Sequence, residues 1–76
     1  MSKEIEPVYR ALAARVQMIR EAIGMTQAEL AKRCGYTRTS LVNFEAGRQR
    51  LPLHQIEVIA KALSSTPRHL LKGIWL

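Results

Sequence analysis

Apolar residues return along this chain at the three- and four-residue spacing of helix faces. Val8, Leu12, Val16, Ile19 and Ile23 predict a first helix over residues 8–23, stopped by Gly24. Ahead of it the chain is polar and Pro7 has no N–H to give, so residues 1–7 read as a flexible N-terminal arm. Thr26 followed by Glu29 is a capping box: hydroxyl and carboxylate satisfy orphan backbone N–H groups at a helix start. It opens a second helix over 27–34 that turns Ala28, Leu30, Ala31 and Cys34 inward and leaves Gln27, Lys32 and Arg33 outside. Gly35 can take the left-handed conformation that ends a helix. Thr37 caps a third helix, 38–45, whose inward residues are Leu41 and Phe44, with Ser40 beside them. After a basic loop, 47–52, the stripe Ile56, Ile59, Ala60 and Leu63 marks a fourth helix over 53–63. Thr66 then caps a short fifth helix with Pro67 in its first turn, where a missing N–H does no harm. Leu70 and Leu71 are its apolar residues and Gly73 ends it. The expectation is an all-α fold of five helices with no strand.

Seventy-six residues allow one domain with a small core, so stability is marginal unless a partner adds surface. Twelve Lys and Arg against six Asp and Glu give a net charge of +6, which suits nucleic acid, an anionic membrane or an acidic protein. The basic residues are spread over helix ends and loops rather than massed on one helix, which argues against a membrane-surface helix. No apolar run is long enough to span a bilayer, and the mixed-charge start lacks the apolar core of a signal peptide. One cysteine forms no internal disulfide, which fits a reducing cytosol. His54 and His69 lie far apart and far from Cys34, without metal-ligand spacing, so no metal or cofactor is expected. No nucleophile, base and orienter stand together, so an enzyme is not expected either.

A capped helix, a three-residue turn and a second capped helix between Thr26 and Gly47 form the arrangement that sets a second helix into a DNA major groove. In order and spacing, Gly24-Met25-Thr26-Gln27, Glu29-Leu30-Ala31, Gly35, Glu45-x-Gly47-Arg48, Pro52 and Ala60-x-Ala62-Leu63 resemble the phage-repressor-like (Xre/Cro) helix-turn-helix family. The resemblance runs from about Val16 to Leu71. It implies a five-helix lambda-repressor-like domain over 8–76, with the motif at 26–47, binding double-stranded DNA as a dimer. The chain departs from the family at Ser64, where glycine is common, and near Leu53, where a polar cap is common. A non-glycine residue in a left-handed cap costs about 1 kcal/mol, so the corner at Ser64 is expected to bend differently.

The resemblance places Arg38, Thr39 and Asn43 of the third helix toward base edges, and their chemistry suits that position. Arg38 carries a donor fork matched to guanine O6 and N7; Thr39 offers a hydroxyl or a methyl; Asn43 can pair bidentately with adenine. The family uses the amide at Gln27 to grip a phosphate and brace the third helix. Thr37, Arg48 and Arg50 suit phosphate contact through a hydroxyl and two guanidinium forks. Arg15 is a further phosphate candidate, while Arg10 reads better as a solvated residue. By family pattern Arg20 pairs with Glu45 as a structural ion pair, neutralising a carboxylate that would otherwise repel phosphate.

The Ile74-Trp75-Leu76 tail is either core cover or an exposed anchor, in a chain with one Trp, two Tyr and one Phe. Aromatic anchors dominate interfaces, and family dimers meet at this end. The expectation is therefore a homodimer contact through Leu70, Leu71, Ile74, Trp75 and Leu76. The function expected is a sequence-specific transcriptional regulator, a dimeric repressor or autoregulator, in the cytoplasm of a bacterium or encoded by a phage or mobile element. The alternative is an antitoxin or other protein-interaction module of the same fold. The absence of a separate tail to wrap a toxin leans toward the regulator.

Overall fold

The computed structural model describes residues 5–75, with side chains from residue 7. Five helices follow one another: α1 (Ile5–Ala22), α2 (Gln27–Cys34), α3 (Arg38–Glu45), α4 (Leu53–Ala62) and α5 (Pro67–Leu71). No strand occurs among the described residues. The short α3 packs on both α1 and α2; α4 packs on α2 and α5, and α5 returns to α1. Leu12 and Val16 from α1, Leu30 from α2, Leu41 and Phe44 from α3, Ile59 from α4 with Leu63 at its C-cap, and Leu70 from α5 are all fully buried together. Each helix therefore contributes its stripe to one core.

The caps explain where the helices begin and end. Thr26 and Glu29 close a capping box, the Glu29 N–H donating to Thr26 Oγ1 at 3.0 Å and the Thr26 N–H to Glu29 Oε1 at 3.1 Å. Thr37 Oγ1 accepts from the Ser40 N–H at 3.0 Å, and Thr66 Oγ1 from the His69 N–H at 3.1 Å. At the end of α2, Gly35 sits at φ 73°. The Tyr36 N–H can then reach back to the Ala31 carbonyl at 2.9 Å, the six-residue closure of a Schellman turn.

Three local expectations are corrected. The arm was expected over residues 1–7, yet α1 already begins at Ile5; residues 1–4 lie outside the described residues. Pro7 falls in the first turn, where an N–H would have no intrahelical acceptor, so the proline is tolerated. Ile23 was expected on the inner stripe but is 51% exposed. The helix ends at Ala22 and Gly24 takes φ 74°, which swings Met25 rather than Ile23 into the core. Ala28 is exposed too, because Leu30, Ala31 and the half-buried Cys34 already fill the inner face of α2.

The corner after α4 does not bend differently. Ser64 takes the left-handed conformation itself, φ 56°, and the Ser65 N–H closes onto the Ala60 carbonyl at 2.7 Å. A serine thus does a glycine's work there, storing strain of about 1–2 kcal/mol.

Candidate nucleic-acid interface

The starts of α2 and α3 converge on the same side of the motif. Arg38 and Thr39, in the first turn of α3, are exposed, as is the capping Thr37; Asn43, one turn further on, is half-buried. Between the start of α2 and the start of α3 lies a shallow depression of about 540 Å³ lined by Arg20, Thr26, Gln27, Ala28 and Arg38. Gln27 and Arg38 therefore share one basic concavity, although they are far apart in sequence.

Behind this surface sits a buried network. Arg20 Nε donates to Glu45 Oε2 at 2.7 Å and Arg20 Nη2 to Glu45 Oε1 at 2.9 Å, with both residues buried. The remaining fork nitrogen, Nη1, donates to the Met25 carbonyl at 2.8 Å, tying the turn after α1 into the same node. Gln27 Nε2 adds a bond to Glu45 Oε1 at 3.0 Å. Glu45 thus receives three donors and links α1, α2 and α3. Its hydrogen bonds to Arg20 push the guanidinium pKa above its ordinary value, against the opposing effect of burial. The only acid in α3 is turned inward and neutralised, which leaves the exposed part of the helix with Arg38 and neutral groups.

The arginines of the following loop part company. Arg48 folds back on α3, its Nε and Nη2 donating to Asn43 Oδ1 at 3.3 and 3.1 Å. Arg50 instead lies over the Tyr9 ring of α1, 5.8 Å from its centroid, close enough for a cation–π contact. Tyr9 in turn donates its hydroxyl proton to the Leu51 carbonyl at 2.8 Å, so this aromatic pins the loop.

Arg15 differs from its expected role as a phosphate candidate. Its guanidinium is spent on the end of α5, donating to the carbonyls of His69 at 2.9 Å and Lys72 at 3.1 Å. A cation there satisfies orphan carbonyls and meets the negative end of the helix dipole. A residue more than 50 positions from its partners leaves no mark in local spacing, which is why sequence reasoning missed it.

The expected dimer residues also divide. Leu70 is 0% and Leu71 8% exposed; they are core of their own domain, because α5 must cover α1 and α4. Ile74 is half-buried and Trp75 is 65% exposed, while Leu76 lies outside the described residues. Trp75 stands at the rim of an apolar groove of about 350 Å³ with Val8, Tyr9, Leu12, Leu53, Ile56 and Leu71. Leu53, with no polar cap at its helix start, is itself 71% exposed.

No group of three His, Cys, Asp or Glu side chains is placed to hold a metal ion among the described residues. Among the described residues no helix is long and apolar enough to cross a membrane. Cys34 is half-buried, and burial raises its thiol pKa.

The fold and the capped motif define a helix-turn-helix protein. The helix-turn-helix domain family matches residues 11–71, and the chain belongs to that family. Solved structures agree. The restriction-modification controller protein C.AhdI from Aeromonas hydrophila is 31% identical over 82% of this chain and 94% of its own, with a TM-score of 0.78. The hypothetical transcription factor NHTF from Neisseria is 34% identical over 84% of this chain and 74% of its own, with a TM-score of 0.79. The clp gene regulator ClgR from Corynebacterium glutamicum is 25% identical over 84% of this chain and 68% of its own, with a TM-score of 0.82. No curated protein sequence matches the chain.

Proposed function

We propose that this chain is a DNA-binding transcription regulator that docks α3 in the major groove of its operator and acts by occupancy, without catalysis or cofactor. The observation that carries this reading is the motif's division of charge: Arg38 and Thr39 face solvent while Glu45, the acid of the same helix, is buried against Arg20. In this reading Arg38 is assigned to guanine, Thr39 to a thymine methyl or an acceptor, and Asn43 to the next base along the groove. Gln27, Thr37, Arg48 and Arg50 are assigned to the phosphates. The gene-regulator and controller relatives support regulation as the outcome.

One recognition helix reads too few base pairs to single out a site among the competing sequences of a genome. We therefore assign the functional unit to a symmetric homodimer reading half-sites about 34–36 Å apart. The contact is placed at Trp75, Ile74 and the exposed Leu53, rather than at the buried Leu70 and Leu71. A cytoplasmic protein is the compartment this function requires.

Selection from a random duplex pool, followed by a salt titration of the winning site, tests the reading. Arg48 and Arg50 in two protomers supply four cations, so log affinity should fall with log salt at a slope of about −3.6, from −0.9 per neutralised phosphate. Arg38→Ala should relax preference at one position at a cost of about 1–3 kcal/mol. A salt-independent affinity, or a logo untouched by Arg38→Ala, overturns the placement of α3. Trp75→Ala should shift sedimentation toward monomer while helical content is kept.

A further inference from the structure

The side chain of Asn43 is not presented to the groove as a complete amide. Its Oδ1 accepts from two nitrogens of Arg48, at 3.3 and 3.1 Å. An arginine has donors and no acceptor, so the orientation of this amide is fixed by chemistry: oxygen toward Arg48, Nδ2 away from it. Oδ1 thus already receives two donors from one guanidinium edge. The couple is also built into the backbone. The turn at Gly47, φ 77°, lets the Arg48 N–H donate to the Asn43 carbonyl at 2.9 Å, which returns the Arg48 side chain to the place where the amide lies.

Bidentate recognition of adenine needs a free amide oxygen for N6–H and a free N–H for N7. With Oδ1 taken, adenine can still accept at N7, but its N6–H would be brought against an oxygen already held by Arg48's donors. Guanine, with O6 and N7, and thymine, with O4, present acceptors instead. Arg48 Nη1 is not used in the couple, so a phosphate contact through it holds the guanidinium in place rather than pulling it away.

We propose that Arg48 sets the base preference of this protein through Asn43, making Asn43 a donor-only reader that selects guanine or thymine and rejects adenine. Arg48 is then a positioning residue for specificity as well as a phosphate contact. The inference rests on the reading in which α3 docks in the major groove.

The test is site selection from a random duplex pool with wild type, Asn43→Ala and Arg48→Ala, each checked for folding by circular dichroism. Asn43→Ala identifies the position concerned as the one whose preference it flattens. Wild type should hold guanine or thymine there, and Arg48→Ala should turn the preference toward adenine by about 5- to 160-fold, the discrimination of a bidentate base contact. Adenine selected by the wild type overturns the proposal, because the couple must then open on DNA. So does an Arg48→Ala logo identical to wild type with affinity lowered uniformly, since Arg48 is then a phosphate contact and nothing more. A logo that Asn43→Ala leaves unchanged overturns it as well. Absence of selection by the wild type is a different failure: it overturns the DNA reading itself, and this inference with it.

Discussion

Replacing Arg20 by alanine should unfold this domain at moderate temperature even though Arg20 lies behind the proposed interface. Its guanidinium makes three hydrogen bonds, two to Glu45 and one to the Met25 carbonyl. The Glu45 side chain is 2% exposed, so water cannot replace what is lost. Gln27 would remain as the carboxylate's neutral partner. Breaking a buried pair from one side costs about 3–5 kcal/mol, because a charge is left uncompensated. A 76-residue domain has about 4–11 kcal/mol in total, at 0.05–0.15 per residue. One side chain therefore decides between folded and marginal. At about 4 °C or more per kcal/mol for a domain of this size, the melting temperature should fall by at least about 12 °C.

Urea and thermal melts of Arg20→Ala, Arg20→Lys and the double variant Arg20→Met with Glu45→Leu separate the causes. Lysine keeps the charge but not the two-pronged geometry, and should lie between wild type and alanine. The double variant removes both charges and should recover most of the loss, short of what the Met25 carbonyl and Gln27 amide forfeit. A loss under about 1 kcal/mol for Arg20→Ala, typical of exposed pairs, would refute the argument. A double variant no better than the worse single one would refute the attribution to an uncompensated charge.

Other positions give smaller and different signatures. Ser64→Gly should stabilise the domain by about 0.5–1 kcal/mol, the left-handed strain relieved less the entropy gained by the unfolded chain, seen as a higher urea midpoint at unchanged slope. Arg15→Ala should loosen α5 and cost about 1–2 kcal/mol for carbonyl contacts to a charged donor that lie partly in solvent; hydrogen exchange should rise first at residues 69–72. Tyr36, whose hydroxyl donates to Gln55 Oε1 at 2.6 Å, has its pKa pushed from 10 up to about 12, first by burial. The unfolded state therefore loses this proton first, and stability falls as pH rises from 10 toward 12; chemical denaturation should show the advantage of wild type over Tyr36→Phe shrinking across that window. The Glu29 carboxylate has the opposite sense. Its bonds to Thr26 lower its pKa below the usual 4.5, so the capping contribution is present above that value and lost on further acidification, a dependence Glu29→Gln should lack.

The helices were legible in the sequence because their ends are written locally. Thr26 with Glu29, Thr37 with Ser40 and Thr66 with His69 each act within three residues, and the stripe of α4 is a plain 3.6-residue period. Ile23 escaped because periodicity carries no information about where a helix stops; Gly24 ends the period first and hands the core position to Met25. The family resemblance brought Arg20 to Glu45, 25 residues away, but the bond from Arg20 to Met25 that closes the node follows only from the turn geometry. Arg15 and Arg48 show the same limit from two sides. Both read as basic surface, and composition gives both to phosphate. One is spent on a helix end across the fold, and the other is tied through Nε and Nη2 to an asparagine that a left-handed glycine brings within reach.

The C-terminal segment marks the boundary most clearly. Leu70, Leu71, Ile74 and Trp75 form one apolar cluster in sequence, and apolarity alone cannot say whether residues are buried in their own domain or against another. The fold divides them: α5 is needed to cover α1 and α4, which buries Leu70 completely and leaves Leu71 only its edge on the groove. What the monomer leaves uncovered is an exposed indole beside an exposed Leu53, over a groove that reaches down to Leu12 and Ile56. Burying an exposed side chain of this size is worth about 1.5–3 kcal/mol, so a contact made twice across a two-fold axis gains that amount twice. For so small a domain that gain is comparable to its own stability. In the proposed dimer, assembly and folding would then be coupled, and the melting temperature should rise with protein concentration in wild type but not in Trp75→Ala.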